Sequence, residues 1–174
     1  MSRVIEASEL QSRHTVALAR WLLGKTLVRT RGTDRFAARI VEVEAYDGEC
    51  DLACHASKGR TPRTEVMYGP GGAWYVYFVY GMHHMLNLVT GPEGYPAAIL
   101  IRGLETVSGP ARLTKALGID LALNCSPMNP MSGLHLEDPG IGIPGKIVHA
   151  TPRIGVDYAG PIWSAKPWRF RLTG

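Results

Sequence analysis

Glu42 and Glu44 stand two residues apart in Arg39-Ile40-Val41-Glu42-Val43-Glu44-Ala45-Tyr46, a run otherwise rich in Val and Ala. Side chains of an extended chain alternate with a period of two. Glu42, Glu44 and Tyr46 therefore share one face, and Val41, Val43 and Ala45 the other. A carboxylate in such apolar company is partly desolvated and suited to take a proton from water. The competing reading is an ordinary glutamate on an open sheet face. Tyr46 on the same face as Glu44, and Arg102 at the end of another apolar strand, favour the chemical reading. Glu44 is the first choice, although periodicity alone does not separate it from Glu42.

A second group lies in Trp74-Tyr75-Val76-Tyr77-Phe78-Val79-Tyr80, whose aromatic and β-branched content is that of a packed strand. Tyr75 and Tyr77 share one face; Trp74, Val76, Phe78 and Tyr80 share the other. Tyr46, His55 and Tyr77 are candidate walls of a flat slot, in which stacking contributes on the order of 1–3 kcal/mol per base. Read singly, each tyrosine is equally at home in a sheet core. Tyr80-Gly81-Met82 follows at a turn, where an exposed ring suits a wedge inserted between stacked bases. Between the two strands runs the basic segment His55 to Arg63, expected to be a flexible loop. Lys58, Arg60, Arg63, Arg112, Lys115, Arg169 and Arg171 are ordinary solvated charges taken singly and a phosphate-facing set taken together. Ser108-Gly109-Pro110 at a helix start is a further candidate phosphate contact.

The elements that must hold these groups read as follows. Residues 8–23 have helical spacing, with Ser8 and Gln11 in capping-box form and Gly24 as the stop. Lys25 to Thr30 and Phe36 to Tyr46 read as a hairpin joined at Arg31 to Asp34. Ala97 to Arg102 is a buried strand, and Ser108 to Gly118 a short helix capped by Ser108. Residues 124–145, rich in Pro, Gly, Asn and Met, read as loop and turns. Ile147 to Val156 resumes as strand broken at Pro152, and Lys166 to Leu172 is a last strand. Many short strands with two helical segments at most predict an α+β fold, a curved antiparallel sheet flanked by helices.

At 174 residues the chain fits one domain, and its net charge of +4 allows a polyanionic partner. The acidic residues among Met1 to Leu10 argue against a signal peptide, and no apolar run approaches the roughly 20 residues of a membrane span. Cytoplasm is the expectation. Cys50, Cys54 and Cys125 suit a reducing compartment. Cys50, Cys54 and His55, completed by His83 and His84, offer a zinc-site reading, but the spacing fits poorly and bystander cysteines are expected.

Taken in order, Ile40 to Tyr46, His55, Arg60-Thr61-Pro62-Arg63, Tyr75 to Met82, Asn87, Leu100-Ile101-Arg102, Ser108-Gly109-Pro110, Arg153-Ile154-Gly155-Val156 and Lys166-Pro167 resemble the alkyladenine (3-methylpurine) DNA glycosylase family. The likeness spans residues 15–174. It implies a monofunctional glycosylase, acting as a monomer without metal or cofactor, that flips alkylated or deaminated purines out of duplex DNA and hydrolyses the N-glycosidic bond. By position, Glu44 resembles the general base, with Arg102 and the Ile154 main-chain carbonyl holding its water. Tyr46, His55 and Tyr77 resemble the stacking walls, and Asn87 the residue that rejects normal guanine. Tyr80 resembles the intercalating residue, with Met82 beside it and Arg60, Thr61, Met67 and Arg112 as further DNA contacts. This sequence departs from the family where Leu104 to Val107 replaces a longer segment, at Thr64, and at His83-His84. A non-catalytic nucleic-acid-binding module and a hydrolase of free nucleosides are the alternative readings.

Overall fold

The computed structural model describes residues 1–11 and 14–174. In chain order they form β1 (Arg3–Val4), α1 (Ala7–Gln11), α2 (Thr15–Leu22), β2 (Thr26–Arg31), β3 (Asp34–Asp47), β4 (Trp74–Val79), β5 (His83–Thr90), β6 (Ala97–Leu104), β7 (Val107–Ser108), α3 (Pro110–Leu117), β8 (Leu134–Asp138), β9 (Ile147–Thr151), α4 (Gly160–Ser164) and β10 (Arg169–Thr173). The strands join in one sheet of order β1-β8-β2-β3-β6-β5-β4. In addition β10 pairs with β3 and β9, and β7 folds back on β6. All the pairings are antiparallel. This is an α+β fold built on an antiparallel sheet, as the strand pattern predicts.

The long strand β3 organises the sheet. One edge pairs with β2 over Asp34 to Arg39 and with β10 over Glu42 to Glu44, while the opposite edge pairs with β6. Strict alternation breaks where Glu42 faces Gly103. Before that point Ala38 and Ile40 lie in the core, and after it Val43 and Ala45 do. Val41, grouped by periodicity with Val43 and Ala45, is therefore left out of the core. Gly103 suits the irregularity, since a Cβ there would stand 3.3 Å from the Glu42 Cβ.

One helix over 8–23 is expected, but there are two, with residues 12–13 outside the described residues. His14 is extended (φ −60, ψ 135), so α2 begins at Thr15. Ser8 lies inside α1 rather than capping it. It is the Glu9 carboxylate that reaches back to accept the Glu6 N–H at 3.0 Å, as a third-position acid does. α2 buries Leu18, Ala19 and Leu22 in the core, and each leucine contributes roughly 1.5–3 kcal/mol. α3 starts from Gly109 at φ 99 and stops at Gly118 at φ 58. Ser108, expected as its cap, pairs instead with Gly103 in β7.

Two elements depart from the sequence reading more widely. Residues 124–145 contain β8, whose Leu134 and Leu136 are buried between β1 and β2. Pro130 and Gly133 obscured its short alternation of Leu, His and Leu. Four helices rather than two occur among the described residues: the expected first helix divides into α1 and α2, and α4, at five residues, is too short for periodicity to register. The basic segment expected to be flexible is a hydrogen-bonded one. It begins with a 3-10 turn at His55–Lys58 and is tied by mutual Thr61 and Thr64 bonds to a second such turn that follows it at Glu65–Tyr68. No helix among the described residues is long and apolar enough to cross a membrane.

Candidate functional site

The C-terminal half of β3, the middle of β6 and the β4–β5 pair deliver polar side chains to one cavity of about 440 Å³. That is within the roughly 300–1,000 Å³ of small-molecule sites. Glu44, Tyr46, His55, Tyr77, Asn87, Arg102 and Ile154 all line it. The two acids that periodicity left equal are separated here. Glu42 turns to Arg102 Nε at 3.2 Å and Arg169 Nη1 at 3.0 Å and is no part of the cavity wall.

Glu44 is held on both oxygens. Its Oε1 accepts the Ile154 N–H at 2.8 Å and lies 3.5 Å from Arg102 Nη1; its Oε2 accepts the Tyr46 hydroxyl at 2.7 Å. The side chain borders the cavity yet has 0 % exposure, because these partners cover it. The main chain of Ile154 thus meets Glu44 through its N–H. Burial first, and then the neighbouring Glu44 charge, push the Tyr46 phenol well above its ordinary range, so it stays a donor.

The facing wall is aromatic. His55 meets Tyr77 edge-on with ring centroids 4.7 Å apart, and its Nδ1 pairs with the Tyr75 hydroxyl at 2.9 Å. Burial, then the Arg63 and Lys58 charges, lower His55 to about 4, so the imidazole is neutral near pH 7. Arg63 lies over the Tyr77 ring at 4.9 Å. Asn87 is 3 % exposed, and its amide donates to the carbonyls of Tyr75 and Met85 at 3.2 and 3.4 Å.

At the rim, β4 ends at Val79, and Tyr80 and Gly81 form the turn with φ of 54 and 66. The Met82 N–H closes it on the Val79 carbonyl. Tyr80 thus leaves the strand alternation that grouped it with Trp74, and it lines the cavity mouth at 84 % exposure, with Met82 beside it at 67 %. Two consecutive positive φ values belong to mirror-image hairpin turns, in which tyrosine is unfavourable.

The remaining candidates are dispersed. Arg60 is exposed and pairs with Glu65 at 2.7 Å, Thr61 is bound up with Thr64, and Arg112 is exposed on α3. Met67 is not a surface contact. It is 1 % exposed, packed with Cys54, Tyr75 and Ala98, and touches the cavity from within. Its apolar side chain is satisfied there. Sequence reasoning missed Tyr158, which lines the cavity and donates its hydroxyl to the Ala53 carbonyl at 2.8 Å; nothing in the local sequence signals it. Cys54 is buried, with its thiol pushed up to about 12, while Cys50 and Cys125 are exposed. Among the described residues no group of three or more His, Cys, Asp or Glu side chains is placed to hold a metal.

The family model described as Methylpurine-DNA glycosylase matches the chain in two stretches, residues 9–109 and 105–174. They overlap at residues 105–109, where β6 turns into β7 and α3 begins next. A protein of Myxococcus xanthus is 51 % identical over 171 residues, 91 % of this chain and 84 % of the relative. One of Methanocella arvoryzae is 47 % identical, covering 93 % of this chain and 89 % of its own length. One of Psychrobacter cryohalolentis is 42 % identical, covering 92 % and 87 %. Each carries 3-methyladenine DNA glycosylase as a provisional name.

Proposed function

The chain belongs to the methylpurine-DNA glycosylase family, a class of enzyme that hydrolyses N-glycosyl bonds in DNA, and we propose that it excises alkylated or deaminated purines from duplex DNA with a water activated by Glu44. The observation that carries this reading is Glu44 itself, a fully covered carboxylate in the wall of an aromatic cavity, fixed by the Ile154 N–H and Arg102.

In this reading the damaged purine leaves the duplex and enters between Tyr46 on one side and His55 with Tyr77 on the other. Flipping costs a few kcal/mol, least for a damaged or mispaired base. Stacking at roughly 1–3 kcal/mol per ring, with Tyr80 filling the vacated step, is of a size to offset it. The water is held by Arg102, whose Nη1 lies 3.5 Å from Glu44 Oε1, and by the Ile154 carbonyl, while the Tyr46 hydroxyl keeps Oε2 in place. Oε1 stays tied to Ile154. The bond from C1′ to the purine nitrogen breaks with its electron pair going to the purine, through an oxocarbenium-like sugar. Water oxygen then bonds to C1′ while Glu44 takes the proton. A purine such as 3-methyladenine is already cationic and leaves neutral without a general acid, whereas a neutral purine such as hypoxanthine leaves as an anion that takes its proton from solvent. Asn87, held by two carbonyls, crowds the exocyclic amino group of normal guanine. The enzyme acts as one domain and as a monomer, in the cytoplasm at the nucleoid.

The test is a base-release panel with 3-methyladenine, 7-methylguanine, hypoxanthine and ethenoadenine in duplex DNA, beside the corresponding free nucleosides. Release from at least one duplex lesion, falling with salt, is expected. Release from nucleosides alone would make it a nucleoside hydrolase, and binding with no abasic product would make it a stacking module.

A further inference from the structure

The chemistry above uses no part of the most deeply buried ion pair among the described residues. Arg153 and Asp51, both with 0 % side-chain exposure, form two contacts: Nη1 to Oδ2 at 2.5 Å and Nη2 to Oδ1 at 2.9 Å. Such a pair is weak evidence for stability, because desolvation of several kcal/mol per ion consumes most of the attraction. Arg153 Nε is moreover buried without a partner. A pair kept in these conditions calls for an explanation in geometry.

Its contacts supply one. Arg153 Nη1 also donates to the carbonyl of Ala45, the residue between Glu44 and Tyr46, at 2.9 Å, and Nη2 donates to the Trp163 carbonyl at 3.1 Å. The guanidinium lies 4.9 Å from the Tyr46 ring centroid and 5.1 Å from that of Trp168. Asp51 in turn accepts the N–H groups of Asp47 and Ala53, fixing the loop that leads from β3 to His55. The residue after Arg153 is Ile154, whose N–H holds Glu44. One ion pair therefore fastens the end of β3, the loop to His55 and the segment carrying Ile154, and through Tyr46 and Ile154 it reaches two of the groups that hold the Glu44 carboxylate.

We propose that Arg153 and Asp51 are positioning residues that lock the Ile154 N–H and the Tyr46 ring against Glu44, so that the carboxylate meets water and C1′ in one orientation. The proposal rests on the glycosylase reading for its kinetic consequence, but its geometric core does not. A guanidinium is required: its planar fork reaches Asp51 and two carbonyls at once, whereas the ammonium of lysine is a single point of charge.

Two variants test it. Arg153→Lys keeps the charge opposite Asp51. The double variant Asp51→Asn with Arg153→Gln leaves no buried charge unpaired if the single change unfolds the chain. In each, single-turnover base release at saturating protein is expected to fall roughly 100-fold, the size of effect that a misplacement of about 1 Å produces. The dissociation constant for damaged duplex should stay within about threefold, since the exposed rim is untouched. A rate at saturation does not depend on the folded fraction, so lost stability alone would not move it. Independently of activity, exchange of the Ile154 amide should be faster in both variants than in the parent. Unchanged release with only a lower melting temperature, or an Ile154 amide as protected as in the parent, would overturn the proposal. A parent inactive on every lesion defeats the glycosylase reading instead, and the amide exchange still decides the role of the pair.

Discussion

The floor of the cavity and the tip of the β4–β5 hairpin line the same opening and are built in opposite ways. On the floor Glu44 is covered and held by Tyr46, Ile154 and Arg102, and Arg153, outside the cavity lining, is held by Asp51 and two carbonyls with its Nε alone unpartnered. At the tip, Tyr80 and Met82 are 84 % and 67 % exposed, and Tyr80 adopts φ 54. Burial and hydrogen bonds give the floor one conformation. The tip has little packing and carries backbone strain on the order of 1–3 kcal/mol. In our reading chemistry belongs to the fixed region and contact with DNA to the strained one.

The largest expected effect probes how desolvated the floor is. His55 sits at about 4 in the folded chain against an ordinary 6.5, for reasons of burial first and then of Arg63 and Lys58. Between those values the unfolded chain binds the extra proton. Stability is therefore full above pH 6.5 and lost as pH falls towards 4, by about 3 kcal/mol at most. Urea midpoints at pH 7 and pH 4 should differ much less in His55→Gln than in the parent. Equal slopes would mean that the wall is wetter than its geometry shows.

The tip is probed by Tyr80→Asn, which creates the Asn-Gly pair favoured where both turn residues have positive φ. Affinity for damaged duplex should fall roughly tenfold, the loss of one stacked ring of 1–3 kcal/mol. Activity on single-stranded or mismatched substrates should hold up better. Thermal stability should rise, by about 1 kcal/mol, as the strain is released. Lower stability in this variant would show that the ring is part of the fold, and the contrast between floor and tip would break.

The smallest effect concerns selectivity on the floor. Asn87→Ala should raise excision of normal guanine by a few-fold over the parent, the scale of roughly 1 kcal/mol for a removed crowding group. Discrimination unchanged in matched duplexes would take Asn87 out of the selectivity role.

The same contrast explains what was legible in the sequence. Period-two patterning located β3, β4 and β6 and put Glu44 and Tyr46 on one face, since burial of the opposite face enforces it. The pattern could not place Val41, because the Glu42–Gly103 irregularity is a property of two strands meeting. It missed β8, whose burial of Leu134 and Leu136 comes from distant partners in β1 and β2. Nor could it show Arg153 and Asp51, some hundred residues apart, forming a buried pair, or choose Glu44 over Glu42. The choice between the acids is made by Arg102 and Arg169, which hold Glu42 away from the cavity.

That choice is the most direct point of test. Single-turnover base release from a damaged duplex should be measured for the parent, Glu44→Gln and Glu42→Gln, each with its affinity for the same duplex. The account predicts that Glu44→Gln loses release by a factor on the order of 100 to 10,000 while still binding the duplex, and that Glu42→Gln retains most of it. A Glu44→Gln protein that frees the base as fast as the parent would contradict it.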